Sequence, residues 1–246
     1  QAVAADEAMM AELKKQKFAV TMDWRAHNSH FQWYAALMEG RGDLALETAR
    51  GAASRATGDS TFGEYNRSLP ILTLLHMQRW EALASEPMPR GDNGPAVVLG
   101  EMARGVGFAR SGKLVEARAA LERLKPKAKT MMAKHTGKDF ISRMLRSMAA
   151  TAEAQVSAEI AFAEQRIDQA LVLQAKAVEL SAMLDRSEPP MLASGQRQRL
   201  GEMQLQAKRF AAAEETYRAD LALHPASGWS LNGLRKALAA QGKDAE

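Results

Sequence analysis

The fold is decided by residues 200–225, which read LGEMQLQAKRFAAAEETYRADLALHP. Small and large apolar residues recur in this stretch at the intervals expected for two antiparallel helices joined by a short turn. Gly201 and Ala213 are small enough to let the two helices approach closely, and Tyr217 is large enough to fill the remaining gap. Pro225 cannot continue a helix, so it ends the second one. The stretch therefore predicts one hairpin of a helical repeat.

Similar units occur elsewhere in the chain. Each is marked by a turn, usually at a glycine, followed by a small residue about five positions later. Three such units precede the one above, with turns or helix starts at Gly40, Gly112 and Ile167. A further first helix is expected from Trp229 to Gln241. We therefore predict an all-α, right-handed helical-repeat solenoid of about five to six antiparallel helix pairs.

One segment divides the chain. Residues 87–97 contain three prolines and two glycines, a composition that interrupts helices and favours turns. We expect degenerate N-terminal helix pairs over residues 1–86, a linker or hinge over 87–97, and more regular helix pairs over 98–246. Within the last region, residues 139–165 are predicted to form one unusually long helix.

The overall composition fits closely packed helices. Apolar residues make up 46% of the 246 positions and aromatic residues only 6%, and cysteine is absent. The absence of cysteine excludes disulfides, thiolate nucleophiles and cysteine metal sites. It leaves the compartment open, because exported and cytosolic bacterial proteins can both lack cysteine. No run of about 18 apolar residues is present, so no membrane-spanning helix is predicted.

Residues 98–131 and 194–227 resemble tetratricopeptide (TPR) repeats. AADEA at 4–8, HNSHF at 27–31 and YRADL at 217–221 are similar to a bacterial subgroup of such proteins. The resemblance implies TPR-like antiparallel helix pairs, and we interpret the chain, which opens without a helix cap, as a fragment of a larger bacterial protein. It also implies a scaffold that holds a peptide or partner protein on the concave face formed by the first helix of each pair.

Catalytic motifs are missing. Gly105-Val106-Gly107 is expected inside a helix and follows no strand, which excludes a dinucleotide-binding or phosphate-binding loop. No serine stands in a nucleophile motif. We therefore predict a protein that is not an enzyme, needs no cofactor and binds a protein or peptide.

Aromatic residues of one helix are the predicted anchors for that partner. Phe31, Trp33 and Tyr34 lie in a helix expected from Trp24 to Glu39. Helical periodicity places Phe31 and Tyr34 on one side and Trp33 on another. Aromatic side chains that become fully desolvated contribute strongly to binding.

A basic segment is the predicted rim that attracts the partner. Residues 123–146 contain eight lysines and arginines and one acidic residue, so they attract an acidic partner segment, anionic lipid or nucleic acid over a distance. Phe140 is the one aromatic residue among them, and a nucleic-acid groove normally has more, so no specific nucleic-acid binding is predicted. The alternative is a merely solvated surface. The lysines predicted to contact the partner are Lys125, Lys127, Lys129, Lys134 and Lys138.

Metal binding is the alternative function. His27 and His30 are three residues apart on the predicted helix, so both imidazoles can face one side, which is a spacing found in metal sites. A third ligand would have to be Asp23, Glu39 or a distant residue such as His76. The competing interpretation is that these histidines form hydrogen bonds between helices.

Overall fold

The computed structural model describes residues 2–18, 25–56, 60–91, 94–192 and 195–243, and all regular structure in these ranges is α-helical. Neighbouring helices pack in pairs, which confirms the predicted all-α class. No helix in the described ranges is long and apolar enough to cross a membrane. The helices are α1 Ala2–Lys15, α2 Arg25–Met38, α3 Gly42–Arg55, α4 Thr61–His76, α5 Trp80–Ser85, α6 Pro95–Arg110, α7 Leu114–Lys134, α8 Phe140–Ala163, α9 Ile167–Ser181, α10 Gln196–Gln206, α11 Phe210–Leu223 and α12 Gly228–Ala239.

The predicted long helix is confirmed as α8. Its start is fixed by Asp139, whose carboxylate accepts a hydrogen bond from the backbone N–H of Ser142 at 2.9 Å. Such a side-chain cap satisfies a donor that the first turn of a helix leaves free. The glycines of Gly105-Val106-Gly107 lie inside α6, as expected.

One type of turn recurs between helices. A residue with left-handed backbone conformation ends the first helix, and the next residue donates its N–H to the carbonyl five residues back, as Lys113 does to Phe108 at 2.9 Å. This arrangement satisfies carbonyls that the helix end would leave without partners. The left-handed residues, with φ between 55° and 74°, are Lys17, Gly40, Gln78, Gly112, Gln165, Lys208 and Gly242. Phe18 follows Lys17, and a basic residue follows each of the others, namely Arg41, Arg79, Lys113, Arg166, Arg209 and Lys243. The five turns from Gly40 to Lys208 lead directly into a described helix.

The helices that directly follow the turns begin in the same register relative to the basic residue. The fourth residue after the basic one donates its N–H to the carbonyl of that basic residue, as Ala213 does to Arg209 at 3.0 Å. At five of the turns this fourth residue is an almost fully buried apolar side chain, at Ala45, Leu83, Ala117, Ala170 and Ala213. A small residue here lets the two helices of a pair lie close together. The sequence prediction for Ala213 is confirmed by its complete burial.

Two buried cores hold the helices together. The larger core extends from Trp33 to Leu192, and it includes residues on both sides of the 87–97 segment, because α4 packs directly on α6. The smaller core is formed by Ala213, Tyr217 and Ala237, from α11 and α12.

Tyr217 is a wedge between two glycines. A Cβ atom on Gly201 would lie 2.6 Å from the Tyr217 ring, and one on Gly233 would lie 2.2 Å from it. Both distances are far below van der Waals contact, so the ring occupies space that only glycines leave open. The packing role predicted for Gly201 and Tyr217 is confirmed, and Gly233 adds α12 to it.

Candidate partner-binding cleft

The predicted aromatic anchors occupy different environments. Trp33 is fully buried, and its indole Nε1 donates a hydrogen bond to Thr73 Oγ1 at 2.7 Å. The side chain is part of the core between α2 and α4 and has no exposed surface in this structure, and its contact with a partner stays a prediction. Phe31 remains 41% exposed and packs against the His27 ring at 4.7 Å. Tyr34 is half-buried and lines a cavity described below.

The predicted lysines lie on α7 and the turn that follows it. Lys125 forms an ion pair with Glu122 at 2.7 Å, and its side chain is exposed. Lys129, Lys134 and Lys138 are exposed, and Lys127 is half-buried. None of the five lines any of the cavities described below. Their contact with a partner stays a prediction.

The two histidines of α2 do not form a metal centre within the described part of the chain. His30 is buried, and its Nε2 lies 3.1 Å from the Tyr65 hydroxyl. Burial, with a smaller contribution from His27, lowers the pKa of His30 to about 3. Among the described residues no group of three potential ligands was found. Asp23 lies outside the described residues.

His76 and Glu39 do not complete such a centre either. His76 lies at the end of α4, where its ring meets Trp229 edge-on at 4.8 Å. Glu39 lies beyond the other end of α2 and pairs with Arg41 at 3.7 Å.

The connector between α9 and α10 packs into the larger core beside α4. Leu184, Met191 and Leu192 of this connector are buried in the larger core. The Tyr65 hydroxyl donates a hydrogen bond to the Met191 carbonyl at 2.6 Å. Since that hydroxyl has one proton, it is free to accept the His30 Nε2–H. The connector is therefore part of the core, and a cavity of about 320 Å³ remains between it, α2, α4 and the start of α8, with His27 and His30 in its wall.

Two further cavities beside the connector adjoin each other. The first, of about 340 Å³, is lined by Tyr34 and Met38 of α2, the connector, the start of α10 and residues 224–229. The second, of about 230 Å³, lies between α4, α6, α8, α10, α11 and α12. They share the walls formed by Gly195, Gln198 and Trp229. We refer to the two together as the cleft.

An ion-pair network forms one wall of the second cavity. The Arg199 guanidinium donates two hydrogen bonds to Glu159, both at 2.6 Å, and lies 2.8 Å from Glu202. Arg110 reaches the other oxygen of Glu202 at 2.9 Å and stacks on Trp80 at 5.0 Å. This network joins α6, α8 and α10.

The network also sets the charge states of its two arginines. Burial disfavours the charged form of Arg199, but Glu159 and Glu202 outweigh it and raise its pKa. Burial, and secondly Arg199, lowers the pKa of Arg110. Both arginines are nevertheless charged at neutral pH, since arginine titrates far above that range.

Two carboxylates lie in the first cavity. Asp220 is 3% exposed and accepts hydrogen bonds from Ser230 Oγ at 2.5 Å and Gln198 Nε2 at 3.3 Å. Asp185 accepts one from Ser181 Oγ at 3.2 Å. Burial raises the pKa of Asp185, and the Asp220 charge raises it further. The pKa of the Tyr34 phenol is raised by burial and then by both carboxylates.

The cleft residues were missed by sequence reasoning, with Tyr34 as the exception. Asp185 belongs to the connector between α9 and α10, Asp220 belongs to α11, and Trp229 lies at the start of α12. None stands in a motif that indicates binding, and only the tertiary fold brings them together. Comparisons of the chain with protein-family models, curated proteins and solved structures found no match.

Proposed function

We propose that this chain is a protein-interaction scaffold that holds an extended segment of a partner protein in the cleft. The observation that carries the proposal is the pair of adjacent cavities, which combine aromatic and apolar walls with a few fixed polar groups. Concave sites of this composition are typical of ligand binding. A wall joined by ion pairs is also pre-organised, which lowers the entropic cost of binding.

The architecture proposed for the scaffold is a right-handed, TPR-like solenoid. Its support is the repeated turn with its common register. Equivalent ion pairs also connect successive turns: Arg79 pairs with Asp43 of the turn before it, and Arg209 pairs with Asp168 in the same relation. In such an array each unit packs mainly on its neighbours, and the first helices line the inner surface.

The test uses a library of random linear peptides displayed on phage and selected on the purified chain. A variant that narrows the cleft is Gly228→Leu, because a Cβ at Gly228 meets no atom within 4 Å and the residue lines the first cavity. The matched control is Ala211→Leu, an exposed position on α11 outside both cavities. Both variants should melt at nearly the same temperature as the parent.

We expect the selected peptides to bind Gly228→Leu at least about tenfold more weakly than the parent, a loss of about 1.4 kcal/mol. Ala211→Leu should bind them as the parent does. Failure to enrich any peptide, or equal binding by Gly228→Leu, would contradict the proposal that the cleft holds a partner segment.

A further inference from the structure

Asp220 is a buried carboxylate that forms no ion pair with a lysine or arginine among the described residues. The described residues contain three buried carboxylates, Glu101, Glu159 and Asp220. Glu101 pairs with Arg123 at 3.0 Å and Glu159 pairs with Arg199 at 2.6 Å. Asp220 forms hydrogen bonds only with the neutral groups of Ser230 and Gln198. A buried carboxylate is disfavoured unless a positive charge compensates it, so this one stands apart from the other two.

The surroundings of Asp220 provide room for such a positive charge. Asp185 lies in the same cavity, where burial and the Asp220 charge raise its pKa while the Ser181 hydrogen bond and the charges of His224 and Arg197 lower it. Within the described part of the chain neither carboxylate forms an ion pair with a lysine or arginine. Arg197 and His224 also line the cavity, but neither is within ion-pair distance of Asp185 or Asp220.

The aromatic walls fit the stem of a long cationic side chain. Tyr34 and Trp229 line the same cavity as the two carboxylates, and Trp229 is 43% exposed. Lysine and arginine lay their methylene groups along apolar surfaces while the charged end reaches polar partners. Aromatic faces also attract the cation directly.

We propose that the partner segment inserts a lysine or arginine side chain into the first cavity, where Asp185 and Asp220 neutralise its charge. This inference rests on the proposed function and specifies the chemistry of the partner at the same site. The basic side chain supplies the countercharge that Asp220 lacks within the chain itself. In the second cavity the carboxylates of Glu159 and Glu202 are already paired with Arg199 and Arg110, so the first cavity is the better place for the cation.

The test compares matched peptides on matched variants. Peptides selected on the parent chain are expected to share a lysine or arginine at one position. A selected peptide and its Lys→Gln or Arg→Gln analogue are then titrated against the parent, Asp185→Asn, Asp220→Asn and the control Glu116→Gln, an exposed acidic residue outside the cleft. Asp185→Asn keeps the test informative if loss of the Ser230 contact makes Asp220→Asn unfold.

We expect the analogue to bind the parent and Glu116→Gln at least about tenfold more weakly than the basic peptide does. With Asp185→Asn or Asp220→Asn the two peptides should differ by clearly less than they do on the parent, because one of the two carboxylates that pair with the cation is gone. Two results would overturn this inference and leave the cleft as a binding site. One is a set of selected peptides without a shared basic position. The other is a difference in affinity between the two peptides that is as large on Asp185→Asn as on the parent. Absence of any selected peptide would overturn the proposed function as well.

Discussion

Tyr217 holds the last helices together by filling a space that two glycines leave open. The ring lies against the backbones of Gly201 in α10 and Gly233 in α12. Since the residue itself belongs to α11, one side chain contacts all three helices. Protein interiors are packed densely enough that a single methyl group here has no room. The stability of the C-terminal third therefore depends on the size of very few residues.

Gly201→Ala tests this packing. The added Cβ overlaps the Tyr217 ring, so we expect the free energy of unfolding to fall by about 1–3 kcal/mol in urea denaturation. Glu202, next to Gly201, is unsuitable as a neutral control because it pairs with both Arg110 and Arg199. Glu215→Ala, at an exposed position of α11, is the better control and should change stability by less than about 0.5 kcal/mol. Equal stability of Gly201→Ala and the parent would contradict the close packing of the Tyr217 ring against Gly201.

His30 should make the protein sensitive to mild acid. Its pKa is about 3 in the folded chain, against about 6.5 when unfolded, because burial disfavours the charged ring. Below pH 6.5 the unfolded chain therefore binds a proton that the folded chain does not, and stability falls until about pH 3. His76, with a pKa of about 4, acts in the same direction.

The measurement is urea denaturation at pH 7.5 and pH 5 for the parent and His30→Phe. Between these pH values the parent should lose about 2 kcal/mol more stability than the variant does. The same loss in both proteins would show that His30 is not buried in its neutral form.

At the scale of elements, the recurring turn shows how much the sequence predicts. Gly40 and Gly112 were found because glycine adopts positive φ without strain. The equivalent positions Gln78, Gln165 and Lys208 carry side chains that give no such signal. The pattern of the following helix, with Ala213 as its clearest member, revealed the units instead. Helix existence was therefore predictable where the turns themselves were not.

Gln165→Gly should stabilise the protein. Glycine removes the cost of holding a residue with a side chain at φ 62°, so we expect a gain of about 0.5–1 kcal/mol in the free energy of unfolding. In the middle of a helix the same replacement has the opposite sign, and Glu215→Gly should cost about 0.5–1 kcal/mol. A loss of stability on Gln165→Gly would show that the turn is not left-handed at this position.

At the scale of the whole molecule, contacts between distant parts of the chain decide what is accessible. Trp33 looked like a surface anchor from its position beside Phe31 and Tyr34. Its partner Thr73 lies 40 residues away, which local periodicity does not reveal. The cleft was beyond prediction for the same reason, since Tyr34 and Trp229 come from opposite ends of the sequence.

The core shared across residues 87–97 should survive a cut in this segment. Insertion of a specific protease site between Asp92 and Asn93 should allow cleavage into two fragments that denaturing gels separate. Because α4 packs on α6 and both contribute to one core, the fragments should remain together in gel filtration and elute like the uncut chain. Elution as two separate fragments would favour independent N-terminal and C-terminal domains.

The edge-on ring contact between Trp229 and His76 links access to the cleft with local unfolding of α12. α12 belongs to the smaller core, whose buried members are Ala213, Tyr217 and Ala237. The free energy of local unfolding is lowest for elements that few buried contacts hold in place. Each transient departure of α12 removes Trp229 and widens both cavities, so a bulky segment can enter without unfolding the rest. A partner segment bound in the cleft would in turn hold α12 in place, so binding of the segment would close the opening through which it entered.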